Sequence, residues 1–269
     1  MIPTQPRPPH AMDIEGISHL AQQFKSTVAS ARSQIQPDGF EWYPYGSLDN
    51  FHLLDLLLTG DARNVFEQAR GRPVADIGAA DGETSLFLES LGFDVDVIDF
   101  GPTNFNTCRG IRALIAHLDS GIRLHEVDLD AQFSLPREEY GLTLLLGILY
   151  HLKNPYYALE KLARHSRGML LSTRIARFNR ARDGGTPSLN PERFDMASAP
   201  LAYLVAPDET NGDATNYWIF SEGGLRRVLD RCGWDVECLR TFGAIGESDP
   251  ATATGDERAF CFARSRRFD

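Results

Sequence analysis

The chain has 269 residues, enough for one large domain or for a core domain with an added cap. Its 42% apolar and 24% charged content is that of an ordinary soluble globular protein. A formal net charge of -10 disfavours a broad surface that follows nucleic-acid phosphates. Four cysteines without metal-ligand or dense disulfide spacing favour a reducing, cytoplasmic setting.

The amino-terminal quarter is expected to be a lead followed by helices. Residues 1–12 are proline-rich, lack the apolar core of a secretory signal, and predict a disordered lead. Apolar residues at helical spacing predict an amphipathic helix over residues 14–35, whose surface also offers a dimer interface. Ser47 is the expected N-cap of a second helix. Residues 13–72 are therefore interpreted as a helical cap.

After Pro73 the pattern alternates between short apolar runs and helix-like segments. The runs predict strands at residues 74–77, 95–98, 122–127, 142–149 and 169–172. Helices are expected at residues 82–91, 105–118 and 155–165. Nearly continuous apolar strands alternating with helices favour a doubly wound α/β fold with a mostly parallel sheet.

The rest of the chain completes one domain over residues 73–269. Residues 174–220 are loop-like and predict a long insertion, which we interpret as a lid. A helix is expected from Ser221 to Arg231, followed by two strands at residues 234–241 and 259–264. These two strands predict an edge hairpin and bring the expected sheet to seven strands. No apolar run is long enough to cross a bilayer.

The stretch VADIGAADGETS, residues 74–85, places a glycine turn directly after the first predicted strand. Ligands of open α/β sheets bind at this edge, and glycine lets the backbone approach them closely. A dinucleotide site requires G-x-G-x-x-G, which is absent because Ala80 and the spacing differ. The acids Asp76, Asp81 and Glu83 would also repel a pyrophosphate. The turn therefore favours a cofactor without phosphate.

This stretch resembles the first motif of class I S-adenosylmethionine (SAM)-dependent methyltransferases, with Ala80 in place of the middle glycine. The cationic sulfonium and amino groups of SAM suit the acidic side chains. The resemblance implies that Asp99 accepts hydrogen bonds from the ribose hydroxyls and that Asp128 contacts adenine. The implied cofactor-binding residues are Asp76, Gly78, Ala80, Gly82, Asp99, Phe100, Asp128 and Leu129. The expected fold is thus Rossmann-like, with SAM converted to S-adenosylhomocysteine (SAH).

A second stretch, GILYHLKNP at residues 147–155, follows the fourth predicted strand. Together with the acid-rich residues 208–218, it resembles the branch that contains the tRNA wobble-uridine carboxymethyltransferases. The resemblance implies that Tyr150 and His151 face the transferred methyl group. His151 suits a general base, although it also suits a helix cap or a partner of a buried carbonyl. Tyr150 would either orient the acceptor or line the pocket.

The predicted lid contains the candidate acceptor-binding residues Arg174, Glu209, Tyr217 and Trp218. Four arginines, Arg174, Arg177, Arg180 and Arg182, would grip an anion, but a solvated charged surface is the more common explanation. Aromatic loops suit a sugar, another hydroxylated small molecule or a polyketide. No histidine or carboxylate cluster has metal-ligand spacing, so no metal site is predicted.

The leading hypothesis is a SAM-dependent methyltransferase that methylates a hydroxyl of a small molecule, such as a saccharide or secondary metabolite. His151 would be the base. A tRNA wobble-uridine modifying enzyme, transferring methyl or carboxymethyl, is the second hypothesis. Nucleic acid is less favoured because the chain is acidic and no lysine matches the one that holds the extra carboxylate in that branch. A SAM-binding protein without turnover is the third.

Overall fold

The computed structural model describes residues 12–131, 134–180, 182–183, 186–187, 193–250 and 255–268. The expected disordered lead lies outside the described residues, apart from Met12. The chain divides into two compact units. The first unit consists of the chain up to Leu145 together with His165–Leu170. The second unit consists of Leu146–Arg164 and Leu171–Asp269.

Six of the seven α-helices described lie close to predicted places, and the third was not predicted. They are α1 Ile14–Gln34, α2 Asn50–Leu57, α3 Val65–Ala69, α4 Glu83–Ser90, α5 Arg109–Leu118, α6 Pro155–Ala163 and α7 Glu222–Arg231. Short 3₁₀ helices occur at Ser47–Asp49, Gly60–Asn64, Leu149–His151, Thr210–Gly212 and Arg266–Phe268. The fourth predicted strand therefore ends earlier than expected, because Leu149 already belongs to a 3₁₀ helix.

Strands lie at all seven predicted places and also in the insertion. The first five are β1 Val74–Ile77, β2 Val95–Asp99, β3 Arg123–Glu126, β4 Tyr140–Leu146 and β5 Ser166–Ile175. The insertion holds β6 Phe178–Arg180, β7 Arg182–Asp183, β8 Thr186–Pro187, β9 Arg193–Asp195, β10 Ala202–Leu204 and β11 Trp218–Phe220. The last two are β12 Trp234–Gly243 and β13 Glu257–Ser265.

In the first unit, parallel strands bring several strand ends to one edge. β1 pairs with β2 and with β4, and β2 pairs with β3, all in parallel. In this register Asp76 lies beside Val97, and Asp99 lies beside Glu126. The turns after β1, β2 and β3 therefore leave the sheet side by side, as ligand-binding edges of α/β sheets do.

The predicted first helix is confirmed, and it shares an apolar core with the sheet unit. The Asp13 carboxylate caps α1 by accepting a hydrogen bond from the Gly16 amide at 3.2 Å. The Phe24 ring of α1 lies 5.6 Å from the Phe87 ring of α4. Phe51 of α2 also packs against Phe87, with 4.9 Å between ring centroids. The predicted cap is thus part of the first compact unit.

The predicted N-cap at Ser47 is wrong. Ser47 begins a 3₁₀ helix, and α2 begins only at Asn50. The Ser47 amide instead donates to Glu83 Oε2 at 3.0 Å. Ser47 thus contacts the carboxylate of Glu83, 36 residues further along the chain, instead of capping the helix next to it.

In the second unit, the predicted helix and hairpin are confirmed. Ser221 caps α7 by accepting a hydrogen bond from the Gly224 amide at 2.9 Å. β12 and β13 pair in antiparallel fashion, with an irregularity between Val236 and Cys238, and β13 also pairs with β5. Contrary to the loop-like prediction, β10 and β11 form an antiparallel pair, and Phe220 of β11 lies in parallel register with Ile175.

These pairings define a mixed α/β fold with one mostly parallel sheet of nine strands. The seven predicted strands belong to it, and the insertion adds β10 and β11. The predicted fold class is confirmed. Within the described ranges, no helix combines the length and apolar character needed to cross a membrane.

Candidate active site

The turn after β1 adopts a backbone that favours glycine at three places. Gly78, Ala80 and Gly82 have positive φ angles of 67°, 51° and 78°. A Cβ atom at Gly82 would lie 2.6 Å from Ile111 Cδ1, so no larger residue fits there without a shift. Ala80 carries its side chain in the left-handed region at a cost of roughly 1 kcal/mol. The turn geometry is thus kept despite the missing glycine.

Asp76 at the end of β1 is buried, and its one side-chain partner among the described residues is a hydroxyl. Its Oδ2 accepts a hydrogen bond from Ser85 Oγ at 2.6 Å. Burial raises the pKa of Asp76 to about 7, the Ser85 hydrogen bond opposes this shift, and the nearby charge of Asp99 adds to it. A cation beside Asp76 would therefore be favourable.

Asp99 ends β2 and is also buried. Its Oδ1 accepts from the Phe100 amide at 2.7 Å, and its Oδ2 accepts from Asn104 Nδ2 at 3.0 Å. Burial raises the pKa of Asp99, whereas these hydrogen bonds and the Ala79 and Ala80 amides lower it. Phe100 therefore contributes its backbone to the orientation of Asp99. The structure brings Asp99 and the β1 turn together, as the sequence predicted.

Two other acids near the turn share one cationic partner within the protein. Arg32 of α1 contacts Asp81 at 2.8 Å and Glu83 at 3.0 Å. Asp81 also accepts hydrogen bonds from the Tyr43 amide and from Asn106 Nδ2, each at 2.7 Å. One guanidinium offsets one of the two negative charges, and neutral donors stabilise the other, so Asp81 and Glu83 attract a cationic ligand less than the sequence suggested. Arg32 was not predicted, because it lies 49 residues before Asp81.

The predicted adenine-contacting residues follow β3. Asp128 is half-buried, and its Oδ1 accepts from the Asp130 amide at 2.9 Å, a local turn contact. Leu129 is buried. The Val127 amide donates to the Asp99 carbonyl at 2.9 Å, which ties the end of β3 to the end of β2. The placement beside Asp99 agrees with the prediction, and adenine contact itself stays a prediction.

In the second unit, Tyr150 and His151 lie on the 3₁₀ helix that follows β4. The half-buried His151 has its Nδ1 3.0 Å from the Thr215 carbonyl and 3.1 Å from Thr215 Oγ1. Burial lowers the pKa of His151, and the charge of Arg258 acts in the same direction. The N-cap of α6 is Asn154, so His151 does not cap that helix, and the Thr215 carbonyl that it contacts is exposed rather than buried.

Tyr150 has a partner that the sequence analysis did not identify. Arg258 of β13 donates from Nη1 to the Tyr150 hydroxyl at 3.2 Å, and its guanidinium lies 5.5 Å from the centre of the Tyr150 ring. Arg258 Nε also lies 3.3 Å from Asp256 Oδ2. No spacing rule links these residues, because 108 positions separate Tyr150 from Arg258.

The predicted arginine cluster does not behave as one solvated surface. Arg174, at the end of β5, is 3% exposed and lies 3.2 Å from Asp256 Oδ1. Arg177 lies 2.7 Å from the buried Glu257. The side chains of Arg180 and Arg182 lie outside the described residues. Arg174 is thus close in the fold to Asp256, which it shares with Arg258.

Of the other predicted lid residues, Glu209 braces its own segment, whereas Tyr217 and Trp218 contact Lys153. Glu209 is buried and accepts from the Tyr203 hydroxyl at 2.8 Å and from the Ala206 amide at 3.0 Å. Trp218 Nε1 donates to the Lys153 carbonyl at 3.1 Å, and Lys153 Nζ lies 5.5 Å from the centre of the Tyr217 ring. Acceptor contact by these residues stays a prediction. Across the described ranges, no cluster of three or more histidine, cysteine or acidic side chains is arranged to hold a metal ion.

Comparison with known proteins identifies the fold. No family model and no curated protein matches the sequence. Among solved structures, an S-adenosylmethionine-dependent methyltransferase from Mesorhizobium loti is similar, with a TM-score of 0.51, 17% identity, and coverage of 73% of this chain and 92% of that one. The glycopeptide N-methyltransferase MtfA, complexed with sinefungin, has a TM-score of 0.51, 16% identity and coverage of 86% and 98%.

A third similar structure is the PH0226 protein from Pyrococcus horikoshii OT3, with a TM-score of 0.50, 11% identity and coverage of 81% of this chain and 90% of that one. At these identities the similarity concerns the fold. The chain therefore has the Rossmann-like fold of SAM-dependent methyltransferases.

Proposed function

We propose that this protein is a SAM-dependent methyltransferase that methylates a hydroxyl group of a small molecule. The observation that carries the proposal is the contrast among the acids at the β1 and β2 ends. In the described part of the chain, Asp81 and Glu83 both pair with Arg32, whereas Asp76 and Asp99 form no ion pair. A buried carboxylate without a cationic partner favours a ligand that brings positive charge.

The charges of these residues suit SAM. Its amino group would compensate Asp76, and its ribose hydroxyls would donate to Asp99. The left-handed backbone at Gly78 would let the main chain approach a ligand, whereas the glycine at position 82 makes room for Ile111. Asp128 and Leu129 would contact the adenine.

When bound, SAM would supply a methyl group on a positively charged sulfur and leave as SAH. A hydroxyl is a poor nucleophile until its proton is removed, so the chain has to supply a base. His151 is suited to this role, because its lowered pKa keeps the imidazole neutral near pH 7. Its Nδ1 is occupied by Thr215, which leaves Nε2 to accept the proton of the acceptor. Tyr150 would help to orient the acceptor.

The acceptor class is proposed from the second unit. The buried Arg174, the Arg258–Tyr150 pair and the aromatic side chains Tyr217 and Trp218 offer both polar and ring contacts. Such a set suits a hydroxylated small molecule, such as a saccharide or a secondary metabolite. A reducing, cytoplasmic location and a homodimer through α1 stay predictions. The resemblance of residues 147–155 and 208–218 keeps a tRNA wobble-uridine modifier as the second candidate.

The cofactor proposal is tested by calorimetric titration with SAH and, separately, with NADH. We expect SAH to bind and NADH not to bind. Asp99→Asn removes the charge that strengthens two hydrogen bonds, so SAH affinity should fall by about tenfold to a hundredfold. The exposed Asp61→Asn is the matched control and should leave the affinity unchanged. Binding of NADH without binding of SAH would refute the proposal.

The acceptor is sought by incubating the protein with SAM labelled on its methyl group and fractionated extract of the source organism. The labelled product is then identified, and turnover is compared between variants. His151→Ala should reduce turnover by about a hundredfold or more if His151 is the general base. The exposed His19→Ala is the control. Full turnover by a folded His151→Ala variant would exclude the base role, and labelled tRNA would favour the second candidate.

A further inference from the structure

The acid-rich segment at residues 208–218 is braced by its own side chains. Asn216 is buried, and its Nδ2 donates to the Thr210 carbonyl at 3.1 Å. Thr210 Oγ1 donates to the Pro250 carbonyl at 2.6 Å, and Glu209 accepts from Tyr203 and from Ala206. These contacts hold the backbone of the segment in one conformation. A functional group can be positioned accurately only on such a fixed backbone.

The same segment is fastened to the 3₁₀ helix that carries His151. The Tyr217 amide donates to the Tyr150 carbonyl at 2.8 Å, one residue before His151. On the other side of His151, the Lys153 carbonyl accepts from Trp218 Nε1 at 3.1 Å. Both contacts lie within the second unit. Hydrogen bonds on both sides of His151 in the chain thus fix the position of Thr215 relative to the His151 ring.

The hydrogen-bond pattern around Thr215 determines which nitrogen of His151 carries the proton. The Thr215 hydroxyl has one proton, and Oγ1 lies 2.6 Å from Asp213 Oδ1, which can only accept. The Thr215 carbonyl can only accept as well. Because both Thr215 oxygens therefore face His151 Nδ1 as acceptors, the proton belongs on Nδ1. Nε2 is then left with its lone pair.

The charges around the His151 ring also depend on this segment. Burial lowers the pKa of His151, the Thr215 carbonyl and the charge of Asp213 raise it, and the charge of Arg258 lowers it. Asp213 has a lowered pKa, because it accepts from both the Thr215 hydroxyl and the Thr215 amide, despite its partial burial. The Tyr150 ring lies 4.2 Å from the His151 ring, centre to centre. Asp213 is thus the group that offsets Arg258.

We propose that Thr215 and Asp213 are positioning residues, which hold His151 in the Nδ1-protonated form and direct the Nε2 lone pair to the acceptor. Asp213 orients the Thr215 hydroxyl, and Thr215 orients the imidazole. Their role in turnover rests on the proposed function of His151 as the base. The acid-rich segment is then a support for the base.

The test is a two-bond proton–nitrogen correlation spectrum of the full chain with ¹⁵N-labelled histidine, recorded across a pH series. The His151 signal is assigned by its absence in His151→Gln. We expect the wild type to show a neutral ring protonated on Nδ1. Thr215→Val and Asp213→Asn should both increase the Nε2-protonated fraction and shift the His151 titration to lower pH. Thr215→Ser retains the hydroxyl and should restore the wild-type spectrum.

The exposed Asp208→Asn is the matched control in the same segment and should change neither signal. An Nε2-protonated ring in the wild type would overturn the proposal. So would an unchanged His151 signal in both Thr215→Val and Asp213→Asn. SAH titration of the same samples distinguishes failure of one proposal from failure of the other. A wild type that does not bind SAH refutes the methyltransferase proposal, whereas the spectrum alone decides the positioning role.

Discussion

Two pairs of acids in the first unit differ sharply in their surroundings, although they occur close together in the sequence. Asp81 and Glu83 contact Arg32, and Asp81 accepts further hydrogen bonds from Tyr43 and Asn106. Asp76 and Asp99 are equally buried but have only hydroxyl, amide and backbone partners among the described residues. The first pair fastens the amino-terminal segment to the turn. The second pair has no cation of its own, so a cationic ligand would favour its ionised form.

The comparison shows why counting acids near a glycine turn overstates the case for a cationic cofactor. Asp81 and Glu83 share one guanidinium, whose positive charge lies within 3.0 Å of both carboxylates and offsets part of their field at the turn. The acids that have no cation of their own gain most from a cationic ligand. Asp76 and Asp99 therefore carry the case for SAM.

The largest expected effect comes from Arg32→Met, which leaves two buried carboxylates without their cation. We expect a loss of about 2 to 3 kcal/mol in unfolding free energy, somewhat below the cost for fully buried pairs because Arg32 is 21% exposed. The midpoint of thermal unfolding, followed by circular dichroism, should fall by about 5 to 10 °C.

Lys25→Met is the matched control for this substitution, because Lys25 of the same helix pairs with Asp49 at the surface. Its effect should stay below about 1 kcal/mol. SAH affinity of folded Arg32→Met should stay close to that of the wild type. A change of more than tenfold would mean that Asp81 or Glu83 binds the cofactor, and the comparison between the two pairs would fail.

The second effect is a pH dependence that belongs to Asp76. Its pKa is raised from 3.8 to about 7 in the folded protein, so the folded state holds a proton that the unfolded state has lost. The contribution of Asp76 to the free energy of unfolding is fully present below pH 4. It is lost as the pH rises through 7, at up to about 1.4 kcal/mol per pH unit. Asp76→Asn should abolish this component.

Urea unfolding of both proteins at pH 5 and pH 6.5 measures the difference. Between pH 5 and pH 6.5, the unfolding free energy of the wild type should fall by about 1 to 2 kcal/mol more than that of Asp76→Asn. Equal losses would show that Asp76 is ionised throughout and already has a cation partner. SAH, whose amino group is positively charged, should bind the wild type more tightly at pH 8 than at pH 6.

The smallest expected effect concerns the residue that replaces the middle glycine. Ala80→Gly relieves a left-handed backbone, but glycine increases the freedom of the unfolded chain by a similar amount. Unfolding free energy should therefore change by less than about 0.5 kcal/mol. The neighbouring Ala79→Gly has no such strain to relieve and should cost about 0.5 to 1 kcal/mol. Equal losses in both variants would contradict the strain at Ala80.

The sequence predicted the strands, most helices and the order of the elements. Periodicity and composition decide these features locally, as at α1, whose apolar stripe and Asp13 cap lie within one segment. It also predicted that Asp76 and Asp99 would meet, because parallel strands bring their carboxyl ends to one edge. The strands in the insertion were missed, since β10 and β11 have only three residues each and little periodicity.

What only the tertiary structure decided is which side chains compensate one another. Arg32 meets Asp81 across 49 residues, Thr215 meets His151 across 64, and Arg258 meets Tyr150 across 108. A local pattern shows which groups can ionise, but burial and a distant partner decide whether they do. The sequence by itself therefore determined an α/β sheet with acids at its edge, while packing determined which acids remain for a ligand and which nitrogen of His151 is left to accept a proton.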